Sequence, residues 1–249
     1  MLPNQDMFFP TSKTAFQIWA NGAPSKASTL DTAMTNKFLV WGAGRAGTTS
    51  IACLLKSFGY HTFPDANNSV LESPLINSLL KSGEVNEAMQ TIREHACDKF
   101  FLKAPLLRAH FDLLKDLSDQ FTHIALYRDP MSIALRNYDG TQDFAIPYQS
   151  AVSELVRTEW TNRNLSASGA QTVSCTYETL RSNPRNSVMQ FTSLLFRSEP
   201  KHLNIDLILD NMYSSFGRYN AVHPSSFRQA MSHSEAASLD TQTPEILGQ

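Results

Sequence analysis

The residues best placed to do chemistry lie between Gly42 and Ser50, in the run Gly-Ala-Gly-Arg-Ala-Gly-Thr-Thr-Ser. Apolar Phe38–Trp41 precede the run and Ile51-Ala52-Cys53-Leu54-Leu55 follow it. The pattern reads as a buried strand, a glycine-rich turn and a helix. Such a turn aims several backbone N–H groups at one spot, at the positive end of a helix dipole, and most often holds phosphate. Gly44 and Gly47 flank Arg45 and Ala46, so a guanidinium sits inside the turn. The hydroxyls of Thr48, Thr49 and Ser50 open the helix. Together these groups can grip a compact tetrahedral anion without a metal.

A second cation is fixed farther along. Ile124–Tyr127 read as a short buried strand, Asp129 as a helix N-cap and Pro130 as the first helical residue. Arg128 is thereby pinned at the carboxyl end of a strand, the edge where ligands bind in open parallel sheets. Ser132 follows Arg128 by one helical turn, so both side chains can face one ligand.

Two nucleotide templates fit the glycine run in part. Gly42, Gly44 and Gly47 match the dinucleotide fingerprint, with Asp65 near the end of the expected second strand as the ribose acid. That reading implies an NAD(P)-dependent oxidoreductase. Gly42 and Gly47 also have the P-loop spacing, but Thr48 stands where ATP and GTP enzymes carry lysine. Ordinary nucleoside triphosphate chemistry is disfavoured by that loss.

The loop, with Ala46 in place of the usual serine, resembles the 5′-phosphosulfate loop of sulfotransferases that use 3′-phosphoadenosine 5′-phosphosulfate (PAPS). Arg128-Asp129-Pro130 is similar to the family's 3′-phosphate motif, and Tyr177-Glu178-Thr179-Leu180 to its Tyr-Glu-Asp-Leu segment. The matches occur in the family's chain order and span roughly residues 38–195. The resemblance implies that Arg128, helped by Ser132, pairs with the 3′-phosphate. Arg136 stands at the family's usual serine position and supplies a second cation. Tyr177 is implied at the adenine, and Arg218, in a late Gly-Arg segment, at the 3′-phosphate. Lys103-Ala104-Pro105 occupies the place of the family's catalytic lysine segment. A fixed ammonium there, with Arg45, would offset charge building on the bridging oxygen as the sulfuryl group departs.

The histidine that some relatives use as general base is Pro105 here. Relatives with Lys-x-Pro take the base from the segment after the second strand. In this chain His61, Asp65 and Glu72 are the possible proton acceptors there, and the choice among them stays open. A catalytically silent module that binds the donor is a further alternative.

Composition bounds these readings. The chain has 249 residues, with 42% hydrophobic and 18% charged. That suffices for one α/β domain with a full core. A net charge of −2 gives no general affinity for nucleic acid, so any anion site must be local. The 3 cysteines, Cys53, Cys97 and Cys175, form no metal spacing, and a metal is not expected. No run approaches the roughly 20 apolar residues of a membrane span. A secretory signal pattern is also lacking. With the resemblance, these points imply a soluble cytoplasmic enzyme. Phe63, Phe144 and Tyr148 suggest a partly apolar pocket for a small-molecule, natural-product-like acceptor with a hydroxyl, or an amine, and the N-terminal arm leaves a homodimer possible.

The elements that must position the site follow from periodicity. The expected fold is α/β, a single domain with a mostly parallel central sheet flanked by helices and a P-loop-like turn. Strands are expected near Phe38–Trp41, His61–Phe63, Phe100–Leu102, Ile124–Tyr127 and Thr172–Thr176. Leu107, Phe111 and Leu114 predict one helix with a core-facing stripe. A longer helix is expected over Tyr148–Leu165 with Val152, Leu155, Val156 and Trp160 on one side. Residues 1–36 read as an N-terminal arm with a short helix at Thr14–Ala20, residues 37–232 as the domain, and 233–249 as a polar tail.

Overall fold

A computed structural model describes residues 36–66, 71–182 and 184–196. The helix expected at Thr14–Ala20, the polar tail and Arg218 lie outside these residues. β1 is Lys37–Gly42, followed by α1, Thr48–Ser57. α2, Pro74–Ser82, and α3, Val85–His95, precede β2, Phe100–Lys103. A 3-10 turn at Pro105–Ala109 and α4, Phe111–Asp116, lead to β3, Thr122–Tyr127. Then come α5, Pro130–Asn137, α6, Ala145–Ala167, β4, Thr172–Thr176, α7, Tyr177–Ser182, and α8, Pro184–Phe196.

The four strands form one sheet in the order β2-β1-β3-β4, and every pairing is parallel. The fold class is therefore α/β, as expected. Register explains what the sheet delivers. Val40 pairs with Lys103, Gly42 with Leu126, and Tyr127 with Thr176. The glycine loop, the end of β2, Arg128 and Tyr177 thus leave one edge of the sheet side by side.

Phe38, Leu39, Val40 and Trp41 are all at most 1% exposed, so both faces of β1 are covered. This is why the central strands read as continuous apolar runs rather than alternating ones. Leu39 and Trp41 join a core with Ile76 and Leu80 of α2, Ile92 of α3, Leu107, Leu114 and Leu165. No helix among the described residues is long and apolar enough to cross a membrane.

Three expectations change. The second strand shrinks to a single parallel bridge, His61 with Phe100. His61 N–H donates to Lys99 O at 2.7 Å and Phe101 N–H to His61 O at 2.8 Å, after which the chain turns at Pro64 and Asp65. Proline has no N–H with which to extend a ladder. The stripe Leu107–Phe111–Leu114 is split between the 3-10 turn and α4, because His110 between them has φ −119° and ψ 68°. The Arg108 carbonyl there accepts from the Thr161 hydroxyl at 2.9 Å. In α6 the buried residues are Pro147, Ala151, Thr158, Thr161 and Leu165. Val156 and Trp160 face outward, and the Trp160 ring meets the Phe111 ring edge-on at 5.3 Å.

Candidate active site

The loop between β1 and α1 is built by close approach. Gly42 has φ 153°, and a Cβ there would lie 2.3 Å from the Leu126 carbonyl oxygen. Gly47 has φ 95°, and a Cβ there would lie 2.5 Å from the Tyr177 ring. No side chain larger than hydrogen fits either place without moving β3 or Tyr177. Arg45 also adopts a left-handed conformation, φ 65°, which costs a non-glycine residue on the order of 1 kcal/mol. The Ala46 N–H closes the turn on Ala43 O at 3.1 Å.

Gly47 caps α1 without a side-chain hydrogen bond, and the first turn of that helix holds no acidic residue. Its positive end therefore faces the loop without a carboxylate cap. Thr48 and Ser50 are buried at 5% and 4% exposure, Ala46 is fully buried, and Thr49 is half-buried. Arg45 itself is exposed.

Arg128 is drawn into the same place. Its Nη1 donates to the Arg45 carbonyl at 3.1 Å. Its guanidinium carbon lies 4.2 Å from the centre of the Tyr177 ring, a cation–π contact. Arg128 is only 9% exposed, and its buried Nε finds no hydrogen-bond partner among the described residues. Burial lowers its pKa; Tyr177 and Glu178 oppose that shift, while the nearby cations Arg136 and Arg181 add to it. A buried donor without an acceptor beside further guanidinium groups is a place where an anion would be stabilised.

The expected helix cap is present: Asp129 Oδ2 accepts from Ser132 N–H at 2.8 Å, worth about 1 kcal/mol to α5. Glu178 Oε1 accepts from Asp129 N–H at 3.1 Å, tying the Tyr-Glu segment to the Arg-Asp-Pro segment. Tyr177 is 8% exposed, wedged against Gly47 with Arg128 over its ring. Its visible part is to support Arg128. An adenine contact would have to use what remains of the ring.

Lys103 ends β2 and is 2% exposed. Burial lowers its pKa, and the Glu72 carboxylate opposes that by attraction and hydrogen bonding; the Arg45 guanidinium lowers it further. Lys103 Nζ lies 2.7 Å from Glu72 Oε1, and Glu72 Oε2 accepts from Asn77 Nδ2 at 3.0 Å. Arg45 is thus close enough to Lys103 for their charges to interact, and both stand at the sheet edge that holds Arg128.

The three possible proton acceptors are separated by this geometry. Glu72 touches Lys103. Asp65 Oδ2 instead accepts from Ser73 Oγ and Leu75 N–H, both at 3.0 Å, and so builds the start of α2 beside the Ser73 cap. His61 is exposed at the sheet margin on its isolated bridge.

Residues that the sequence did not single out also meet here. Gly44 N–H donates to Glu154 Oε2 of α6 at 2.6 Å, and Glu154 Oε1 pairs with Arg108 Nη2 at 2.9 Å. Nothing local signals that contact, because the partners are 110 residues apart. Arg181 was legible: it follows Tyr177 by one turn on α7, the spacing that places two side chains on one helix face.

No family model matches the sequence, and no curated protein does. Solved structures do. A crystal structure of retinol dehydratase in complex with retinol and PAP is similar over 80% of this chain and 71% of its own, at 15% identity and TM-score 0.45. Retinol dehydratase in complex with androsterone and inactive cofactor PAP matches over 80% and 70%, at 14% identity and TM-score 0.42. Sulfotransferase STF9 from Mycobacterium avium matches over 94% and 82%, at 13% identity and TM-score 0.46. The roles of individual side chains rest on the geometry above.

Proposed function

We propose that this protein transfers a sulfuryl group from PAPS to a hydroxyl of a small-molecule acceptor. The observation that carries the reading is the junction of Arg128 with the glycine loop, through the Arg45 carbonyl at 3.1 Å, at the sheet edge where the buried Lys103 meets the half-buried Glu72. Two anion sites of that kind at one sheet edge suit a ligand with phosphate at two separated positions.

In this reading the backbone N–H groups of Arg45, Gly47, Thr48 and Thr49, the Arg45 guanidinium and the hydroxyls of Thr48, Thr49 and Ser50 hold the 5′-phosphosulfate, since the N–H groups of Gly44, Ala46 and Ser50 already donate to Glu154 Oε2, Ala43 O and Gly47 O. Arg128 and Arg136, with Ser132, hold the 3′-phosphate, and Arg181 joins them. Arg218 is assigned the same phosphate by resemblance. Tyr177 stiffens Arg128 and offers its ring margin to the adenine.

The acceptor oxygen forms its bond to sulfur as the bond from sulfur to the bridging phosphate oxygen breaks. The electron pair leaves on that oxygen, where Lys103 and Arg45 stabilise it. Glu72 takes the acceptor proton. The 2.7 Å contact between Lys103 and Glu72 couples the two roles. As charge grows on the leaving oxygen it draws Lys103 away, which leaves Glu72 Oε1 open to accept. Asp65 and His61 take no proton in this scheme.

Isothermal calorimetry of the full chain against PAP, the desulfated product, tests the reading. One-site binding with a dissociation constant in the micromolar range or below is expected. A flat titration, together with tight binding of NADH, would replace it with the dinucleotide reading. Binding of PAP without turnover of sulfur-labelled PAPS in the presence of phenols, aliphatic alcohols, amines or water would leave a silent donor-binding module.

A further inference from the structure

Glu154 belongs to neither anion site, yet it reaches the glycine loop. Its Oε2 accepts from Gly44 N–H at 2.6 Å, and its Oε1 accepts from Arg108 Nη2 at 2.9 Å. Arg108 lies in the 3-10 turn that continues directly from Lys103 and Ala104. Its Nη1 donates to Pro105 O at 2.8 Å, and its own carbonyl accepts from Thr161 Oγ1 at 2.9 Å. The Ala104 N–H in turn bonds Val40 O of β1 at 3.0 Å. A continuous chain of contacts therefore runs from the loop amide, through one carboxylate and one guanidinium, to the segment carrying Lys103.

We infer that Glu154 is a positioning residue that, through Arg108, sets the separation between the glycine loop and Lys103. The consequence for sulfuryl transfer rests on the function proposed above; the bracket itself does not. The physical case has three parts. The Gly44 bond is charge-assisted and short, so it holds the loop more firmly than a neutral contact would. Arg108 is 12% exposed against 30% for Glu154, so the pair is partly shielded and its geometry is tightly fixed. Fit is close as well: a Cβ on residue 44 would lie 3.2 Å from Glu154 Oε2. The loop sets where the sulfur sits and Lys103 sets where leaving-group charge is met. A small error in their separation falls on the rate and spares the grip of Arg128 on the far phosphate.

The test uses the full chain labelled with nitrogen-15 and the variants Glu154→Gln, Glu154→Ala, Arg108→Ala and Glu154→Ala/Arg108→Ala. The Gly44 amide proton should resonate far downfield in the wild type, move partway back in Glu154→Gln, which keeps an acceptor, and fully back in Glu154→Ala. Turnover of sulfur-labelled PAPS, with water as acceptor, should fall about tenfold to a hundredfold in each Ala variant. PAP affinity should stay within about threefold, and the double variant should be no slower than the single ones, as expected of groups acting as one unit. Unchanged Gly44 resonance in Glu154→Ala overturns the inference, as does full turnover in that variant or losses that multiply in the double variant. A lowered melting temperature with turnover intact would also overturn it, since that is the signature of a purely structural pair. If wild type binds no PAP, the donor reading has failed, and the Gly44 signal still decides whether the bracket exists.

Discussion

The sheet edge proposed to hold the donor and the flank proposed to face the acceptor, residues 61–80 and 139–150, are built in different ways. At the donor edge the polar contacts join distant segments: Arg128 to Arg45 across 83 residues, Gly44 to Glu154 across 110, and Asp129 to Glu178 across 49. On the acceptor flank the carboxylates bond near themselves. Asp65 reaches Ser73 and Leu75, Glu72 reaches Asn77, and Asp139 reaches Thr141. Among the described residues, the Glu72–Lys103 bond, across 31 residues, leaves that pattern. A site locked by tertiary contacts is preorganised and tolerates little change. Local turns can be remodelled for a new acceptor without disturbing the sheet.

If Glu72 is the point where the flank joins the chemistry, changing it should hurt most. Glu72→Gln should lower PAPS turnover about 10²–10⁴-fold while PAP affinity holds. Lys103→Ala should cost about 10²–10³-fold in turnover. Single-turnover kinetics with labelled PAPS measure both. Normal rates in Glu72→Gln would move the base elsewhere and separate flank from chemistry.

The donor edge is probed next. Arg128→Ala removes charge-assisted hydrogen bonds worth about 3 kcal/mol, so PAP binding should weaken roughly a hundredfold by calorimetry. The Nε of Arg128, without a hydrogen-bond partner among the described residues, is the reason the loss should be large.

His123 offers a control away from both regions, since it lies near the start of β3, at the opposite end of that strand from Arg128. It is fully buried, its Nε2 lies 2.9 Å from Ser118 Oγ, and burial lowers its pKa from 6.5 to about 4. The neutral ring is the form the fold accepts. Stability from this group is therefore complete above pH 6.5 and is lost as pH falls from there through 4, by up to about 3 kcal/mol. Denaturant melts of wild type and His123→Gln between pH 7 and 4 should show the loss in the wild type alone.

Asp65 should matter least. Asp65→Asn weakens the start of α2 by about 1 kcal/mol and should leave PAPS turnover within about twofold. A large rate loss there would put the base on the local turns of the flank and erase the contrast between Asp65 and Glu72.

What the sequence made legible divides along the same line. Strand, glycine turn and helix at 37–57 could be read because periodicity, turn residues and caps are local, and so could the Asp129–Pro130 helix start. The reduction of the second strand to one bridge turned on Pro64 and the bend at Asp65, where edge pairing fails. In α6, Val156 and Trp160 suggested a buried stripe, but Thr158 and Thr161 satisfy their hydroxyls on Glu154 O and Arg108 O and go inside instead. Glu154 on Gly44 carried no local signal at all. In sequence Asp65 and Glu72 stood level and His61 below them; the approach of Glu72 to Lys103, and the bonds of Asp65 to Ser73 and Leu75, separate the two carboxylates.

The account stands on two anion grips holding opposite ends of one nucleotide. Calorimetric comparison of PAP with adenosine 5′-phosphate, which lacks the 3′-phosphate, tests it most directly, on wild type and Arg128→Ala side by side. Wild type should prefer PAP by roughly a hundredfold, corresponding to about 3 kcal/mol, and Arg128→Ala should bind the two ligands nearly alike. Equal affinity for both ligands in the wild type, or an undiminished preference in Arg128→Ala, would contradict it.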